Sequence, residues 1–70
     1  MSGTSTANRY RVEARRAPTG WSVAILDPEG REVSVRACRD EAEALTYAST
    51  VRQHIHWLSE ETFRRYYRLG

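Results

Sequence analysis

The sequence predicts an α+β domain: a three-stranded antiparallel meander packed against one long helix, then a short C-terminal helix or helical extension (β-β-β-α-α). Three observations predict this fold. The first half alternates apolar and polar residues with a period of two, turns containing Gly and Pro separate these segments, and residues 39–58 repeat apolar positions with helical spacing. At 70 residues the chain can bury one thin core.

The three strands are predicted near residues 10–15, 21–26 and 31–37, each with one face toward the core. These faces are expected to carry Tyr10, Val12 and Ala14 from the first strand, Trp21, Val23 and Ile25 from the second, and Val33, Val35 and Ala37 from the third. The outward face of the second strand is the least polar, which favours the centre of the sheet. Residues 1–8 have no periodic apolar position and predict a disordered tail, so residues 9–70 form the single domain.

Two turns join the strands. Residues 17–20 contain Pro and Gly, and residues 27–30 read Asp-Pro-Glu-Gly, in which Pro fixes φ and Gly30 admits a left-handed conformation. Short connections of this kind join neighbouring antiparallel strands, so one face of the meander needs a cover. The helix supplies it.

The long helix is predicted to begin after Asp40, an N-cap residue, with Glu41 and Glu43 in its first turn. At about 100° per residue its apolar positions gather on one face, with Leu45 at the edge. The predicted core stripe consists of Ala44, Tyr47, Ala48, Val51, Ile55 and Leu58.

Trp57 lies off this stripe, and Ser59 followed by two Glu is a helix start. If the chain breaks at Ser59, the aromatic residues that follow fold back and cover Trp57. If it continues, the helix overhangs the sheet and its end needs a partner. We favour the break, because a monomer cannot cover the overhang.

All eleven basic residues are arginine, and the net charge is only +2. A GC-rich genome explains this bias, and so does selection for a planar group that binds phosphate or carboxylate. The charge is also uneven, since residues 27–43 hold six acids against three arginines whereas residues 1–16 hold four arginines against one acid. The molecule is therefore polarised rather than uniformly basic, which weakens an argument from net charge to nucleic acid.

Catalytic and metal chemistry are not expected. His54 and His56 are two residues apart and diverge around the helix, so we predict no metal site. Cys38 is alone and is interpreted as a small buried residue, and no phosphate-binding glycine loop is present. We therefore expect no enzyme activity, no cofactor and no small-molecule substrate. The absence of a long apolar run predicts a cytoplasmic protein without membrane attachment.

Two surfaces remain as functional candidates. The first is a protein interface, for a second copy or another protein, formed by Trp57, Phe63, Tyr66 and Tyr67. The second is a DNA-binding surface formed by Arg9, Arg11, Arg15, Arg16 and Arg36 on the sheet face and N-terminal arm. A further group of arginines, at positions 64, 65 and 68, is interleaved with the C-terminal tyrosines and suits either partner.

The element order, with the segments GWSV, PEG and DEAEA, resembles the arm-type DNA-binding domains of phage-type integrases and the partner-binding domain of some antitoxins. The first resemblance implies DNA binding, and the second implies a protein partner. The residues themselves identify no family.

Overall fold

The computed structural model describes residues 8–69 and confirms the predicted α+β fold. Three strands, β1, β2 and β3, form one antiparallel sheet in the order β1-β2-β3, so β2 is central. Two helices, α1 and α2, follow. The elements are β1 (Arg11–Ala17), β2 (Gly20–Leu26), β3 (Glu32–Cys38), α1 (Glu41–Trp57) and α2 (Glu60–Tyr67).

The hairpin between β1 and β2 is regular from the pair Arg11 and Leu26 to the pair Ala17 and Gly20. Gly20 has φ of 142°, and a Cβ there would lie 3.0 Å from the carbonyl oxygen of Cys38. The position therefore needs glycine both for its dihedral angle and for the close approach of β3.

The inward face of β3 differs from the prediction because the strand contains an irregularity. Leu26 pairs with Glu32 and Ile25 pairs with Ser34, so one residue, Val33, is inserted between the two pairs. An inserted residue reverses which face each later side chain occupies. The consequences are that Val35 is 58% exposed and Ala37 is also exposed, whereas Arg36 and Cys38 lie on the helix side.

The core lies between the inner sheet face and α1. One cluster of buried residues comprises Tyr10, Ile25, Val51 and Phe63, and a second comprises Val23, Cys38, Ala44 and Ala48. The predicted helix stripe is confirmed, since the remaining members Tyr47, Ile55 and Leu58 pack against these clusters. Leu45 is the exception. It is 51% exposed, because its angular position turns it past the edge of the sheet.

The long helix breaks where predicted. Leu58 has an extended backbone and its N–H donates to the carbonyl of His54, which ends α1. Ser59 is the N-cap of α2, and its hydroxyl oxygen accepts a hydrogen bond of 3.2 Å from the backbone N–H of Thr62. Arg68 ends α2 in the left-handed conformation, with φ of 56°.

The segment before β1 is joined to the break between the helices. The side-chain amide of Asn8 donates to the carbonyl of Leu58 over 3.1 Å, and the Arg9 guanidinium bonds Glu60 at 2.8 Å. Asn8, which we assigned to the tail, therefore contacts the helices, while residues 1–7 of that predicted tail lie outside the described residues. Within residues 8–69, neither helix is long and apolar enough to cross a membrane.

Candidate interaction surfaces

The region where α1 ends and α2 folds back presents several aromatic rings, and we call His54, Trp57, Tyr66 and Tyr67 the aromatic corner. Trp57 is 71% exposed on the last turn of α1, and Tyr66 is 62% exposed on α2. The Tyr66 ring lies 4.9 Å from the ring of His54 and 5.1 Å from that of Tyr67. Trp57 and Tyr66 thus each present a large ring to solvent.

Phe63, which the sequence placed in the interface, is a core residue. It is fully buried, and its ring centroid lies 5.1 Å from that of Tyr10 and 4.8 Å from that of Tyr67. The chain does fold back at Ser59, but the ring it brings inward fills the core beneath α1 instead of covering Trp57. The expectation that the C-terminal aromatics cover Trp57 is therefore wrong.

Tyr67 lies at the boundary between the core and the aromatic corner. Its hydroxyl is 2.6 Å from Nδ1 of His54, and burial raises the pKa of Tyr67 to about 12. The tyrosine therefore remains protonated and fixes α2 against α1. His54 is engaged in this contact and His56 is exposed, and no group of three or more metal-ligating side chains occurs in the part of the chain that the structure describes.

The arginines proposed for DNA do not form one continuous basic face. The Arg9 guanidinium is paired with Glu60, a contact that raises the pKa of Arg9 and lowers that of Glu60. Arg15 is paired with Glu32 and, at 3.0 Å, with Glu13. These neighbouring carboxylates reduce the positive potential that a phosphate backbone would meet.

The other three members of that set are dispersed. Arg11 lies on the outer sheet face, with its guanidinium nitrogen 3.8 Å from the position that a Cβ of Gly30 would occupy. Arg16 is exposed near the opposite end of β1. Arg36 lies on the helix side of β3, where its guanidinium carbon is 4.6 Å from the centre of the Tyr47 ring.

A basic concavity of about 480 Å³ lies along α2. Arg64, Arg65 and Arg68 line it together with one acid, Glu61, whose carboxylate is 3.9 Å from Arg65. Among the described residues, Arg64 and Arg68 have no carboxylate within 4.0 Å. Positive charge is thus concentrated on the face of α2 that carries these arginines, whereas Phe63, Tyr66 and Tyr67 lie on the other side of that helix.

A second concavity, of about 450 Å³, lies beside the first half of α1 and was not predicted. Ala42, Thr46 and Thr50 line it together with Tyr47 and three charged residues, Arg39, Asp40 and Glu43. The signal in the sequence is the spacing of three small residues at intervals of four, which places them in one line on the polar side of the helix. We call it the α1 concavity.

Cys38 is buried, as the sequence predicted, at the end of β3. Its Sγ lies 3.9 Å from the carbonyl oxygen of Arg36, and its neighbours in the core are Val23, Ala44 and Ala48. The thiol thus occupies the position of a small core residue.

No protein-family model, curated protein or solved structure matches the chain.

Proposed function

We propose that this protein is a non-enzymatic interaction module that binds a protein through the aromatic corner and the adjoining face of α1. The observation that carries the proposal is the exposure of Trp57. A Trp side chain contributes about 150–250 Å² of contact area when buried, so leaving 71% of it in water forgoes a large hydrophobic gain. Binding a partner would recover that gain.

The surroundings of Trp57 favour a protein as the partner. Trp, Tyr and Arg are the residues enriched among those that dominate binding energy in protein interfaces. Here Trp57 and Tyr66 are both exposed, and Tyr66 shares α2 with Phe63, whose packing in the core holds that helix in place. A rigid base of this kind lowers the entropy lost on binding.

Binding of duplex DNA is the alternative, and the basic concavity along α2 is the observation that favours it. The arginines of the sheet and N-terminal arm support it less, because Arg9 and Arg15 are paired with carboxylates. DNA binding would weaken steeply with added salt. A protein contact centred on a tryptophan would depend on salt much less.

The test compares the wild-type chain with Trp57→Ala and with Leu45→Ala, which removes a different exposed apolar side chain from the same helix. Sedimentation measures self-association, and chromatography on each immobilised chain detects other proteins, which are then purified and titrated. We expect an association that Trp57→Ala weakens about tenfold or more and Leu45→Ala leaves unchanged. Salt-sensitive binding of duplex DNA by wild type, with no protein association dependent on Trp57, would replace the proposal with the alternative.

A further inference from the structure

A stripe of uncharged residues runs along α1 on the side away from the core. Thr46, Thr50, Gln53 and Trp57 follow one another at intervals of four, three and four residues, and all four are exposed. This spacing lines up side chains along one face of a helix and is the spacing with which helices pack side by side. A solvated helix face normally carries charged residues, so a stripe without charge that ends in an indole favours contact with another surface.

The two ends of this stripe have complementary shapes. Trp57 projects at one end, and the α1 concavity, lined by Ala42, Thr46 and Thr50, lies at the other end on the same side of the helix. Thr46 and Trp57 are eleven residues apart, which corresponds to about 16 Å along the helix axis. One chain therefore carries both a large projecting ring and a shallow, open concavity of about 450 Å³, and the two are too far apart along the helix to meet each other.

We infer that the partner is a second copy of the chain, bound with its α1 antiparallel, so that Trp57 of each copy enters the α1 concavity of the other. When the two-fold axis passes α1 midway between Thr46 and Trp57, the Trp57 of each copy reaches the α1 concavity of the other. The same axis places Thr50 of one copy beside Gln53 of the other. Such a contact uses the same surface on both copies and closes at two. The inference rests on the proposed function, because it names the partner of that surface.

The charges at the two ends of the molecule favour the antiparallel arrangement. Carboxylates outnumber arginines at the start of α1, where Asp40, Glu41 and Glu43 stand beside Arg39, and arginines outnumber carboxylates on and after α2, where Arg64, Arg65 and Arg68 stand against Glu60 and Glu61. An antiparallel pair brings the acidic end of each copy toward the basic end of the other. A parallel pair would bring like charges together, which is unfavourable.

Sedimentation equilibrium of the full chain, between about 1 μM and 1 mM, tests the dimer and the surface that forms it. We expect a monomer–dimer equilibrium whose dissociation constant rises about tenfold or more in Trp57→Ala. Thr46→Arg, which fills the concavity from an exposed position, should weaken the dimer similarly, whereas Leu45→Ala should not. A chain that is monomeric throughout this range, or a dimer that both Trp57→Ala and Thr46→Arg leave intact, would overturn the inference.

Disulfide trapping tests the antiparallel orientation. Two variants of different mass, Thr50→Cys and Gln53→Cys, are prepared in a Cys38→Ala background and mixed under mild oxidation. Antiparallel packing places position 50 opposite position 53, so the mixed disulfide should exceed both symmetric disulfides. Predominance of the symmetric products would show a parallel or unrelated contact and would contradict the inference.

The outcomes separate this inference from the proposed function. A monomeric chain that still binds another protein in a manner dependent on Trp57 removes the second copy as the partner but retains the interaction surface. A monomeric chain with no association dependent on Trp57 removes both. Exposed positions on α1 should tolerate these changes, and circular dichroism verifies that each variant is folded.

Discussion

A single carboxylate, that of Asp27, holds the turn between β2 and β3. Its Oδ1 accepts hydrogen bonds from the backbone N–H of Glu29 at 3.0 Å and of Arg31 at 2.8 Å, and its Oδ2 lies 3.4 Å from Nε of Arg31. These contacts, the backbone hydrogen bond from Arg31 first among them, lower the pKa of Asp27 below its ordinary value. The native turn therefore favours the ionised side chain.

We expect the Asp27→Asn variant to be less stable than the wild-type protein at neutral pH. On acidification the wild-type protein should lose more stability than the variant. Folding lowers the pKa of Asp27, so the ionised carboxylate adds to the free energy of unfolding above the unfolded-state pKa of about 4. This contribution disappears as the pH falls through the folded-state pKa. Thermal unfolding followed from pH 7 to pH 2 measures this.

The difference in Tm between wild type and Asp27→Asn should be largest above about pH 5 and should shrink below about pH 4. Glu29→Gln removes a charge from the same turn at an exposed side chain that accepts no hydrogen bond within residues 8–69, so it controls for net charge. An Asp27→Asn deficit that stays constant down to pH 2 would contradict the role of the ionised carboxylate.

Arg36 illustrates what a residue pattern alone does not reveal. Its charge predicts an outward position on β3, yet it lies on the helix side with its guanidinium over the ring of Tyr47. The long aliphatic stem covers apolar surface while the charged group remains accessible, which lets an arginine occupy the margin of a core. The polarity of the side chain thus indicated the wrong face.

At the scale of elements, the local sequence specified the boundary between α1 and α2 most clearly. Ser59 and the two glutamates after it form a helix start, and the structure uses the Ser59 hydroxyl as the cap for the N–H of Thr62. The capping residue of α1, Asp40, was predictable on the same grounds, and its carboxylate accepts a hydrogen bond from the N–H of Glu43 at 2.9 Å. Helix ends of this kind depend on a few neighbouring residues.

Ser59→Ala should destabilise the protein by about 1 kcal/mol, because it removes the acceptor for an N–H at the start of α2. In a domain of this size, that loss lowers Tm by about 4–8 °C. Ser49→Ala makes the same chemical change at an exposed position inside α1, where we expect an effect within about 0.5 kcal/mol. Equal losses in the two variants would show that the Ser59 side chain does not cap α2.

The orientation of β3 was not predictable from its alternation. Continuing the pairing of Leu26 with Glu32 by single steps would place Val33, Val35 and Ala37 on the core face, as the pattern suggested. The inserted residue at Val33 instead sends Val35 outward and brings Cys38 against the core. A one-residue insertion depends on the fit of the whole sheet against the helices, so local hydrophobicity carries little information about it.

For the whole molecule, the sequence predicted the fold correctly but placed Phe63 in an interface, whereas the residue is buried in the core. The order and type of all five elements followed from periodicity and turns, whereas the burial of individual aromatics depends on how α2 docks. Tyr10, which precedes β1, and Phe63, on α2, meet at 5.1 Å in the core. Because this contact joins residues far apart in sequence, no local pattern could assign Phe63 to the core, whereas the helical spacing of α1 already placed Trp57 off the core stripe.

Phe63→Ala should therefore destabilise the whole domain, by about 3–5 kcal/mol, since it removes the largest fully buried side chain within residues 8–69. A domain with a total stability of about 5–15 kcal/mol would lose a large fraction of it. Urea unfolding followed by circular dichroism measures the change. Tyr66→Ala, three residues along α2 and 62% exposed, is the matched control and should cost much less.

The comparison of these two variants also decides how α2 contributes to the fold. Phe63 contacts Tyr10, Ile25 and Val51 in one buried cluster, so its loss should lower the unfolding midpoint of the sheet and the helices together. If Phe63→Ala instead melts α2 alone and leaves the midpoint for the rest of the chain unchanged, α2 is an appendage rather than part of the core. In that case the rigid base assumed for the aromatic corner is absent, and partner binding would have to order α2 as well.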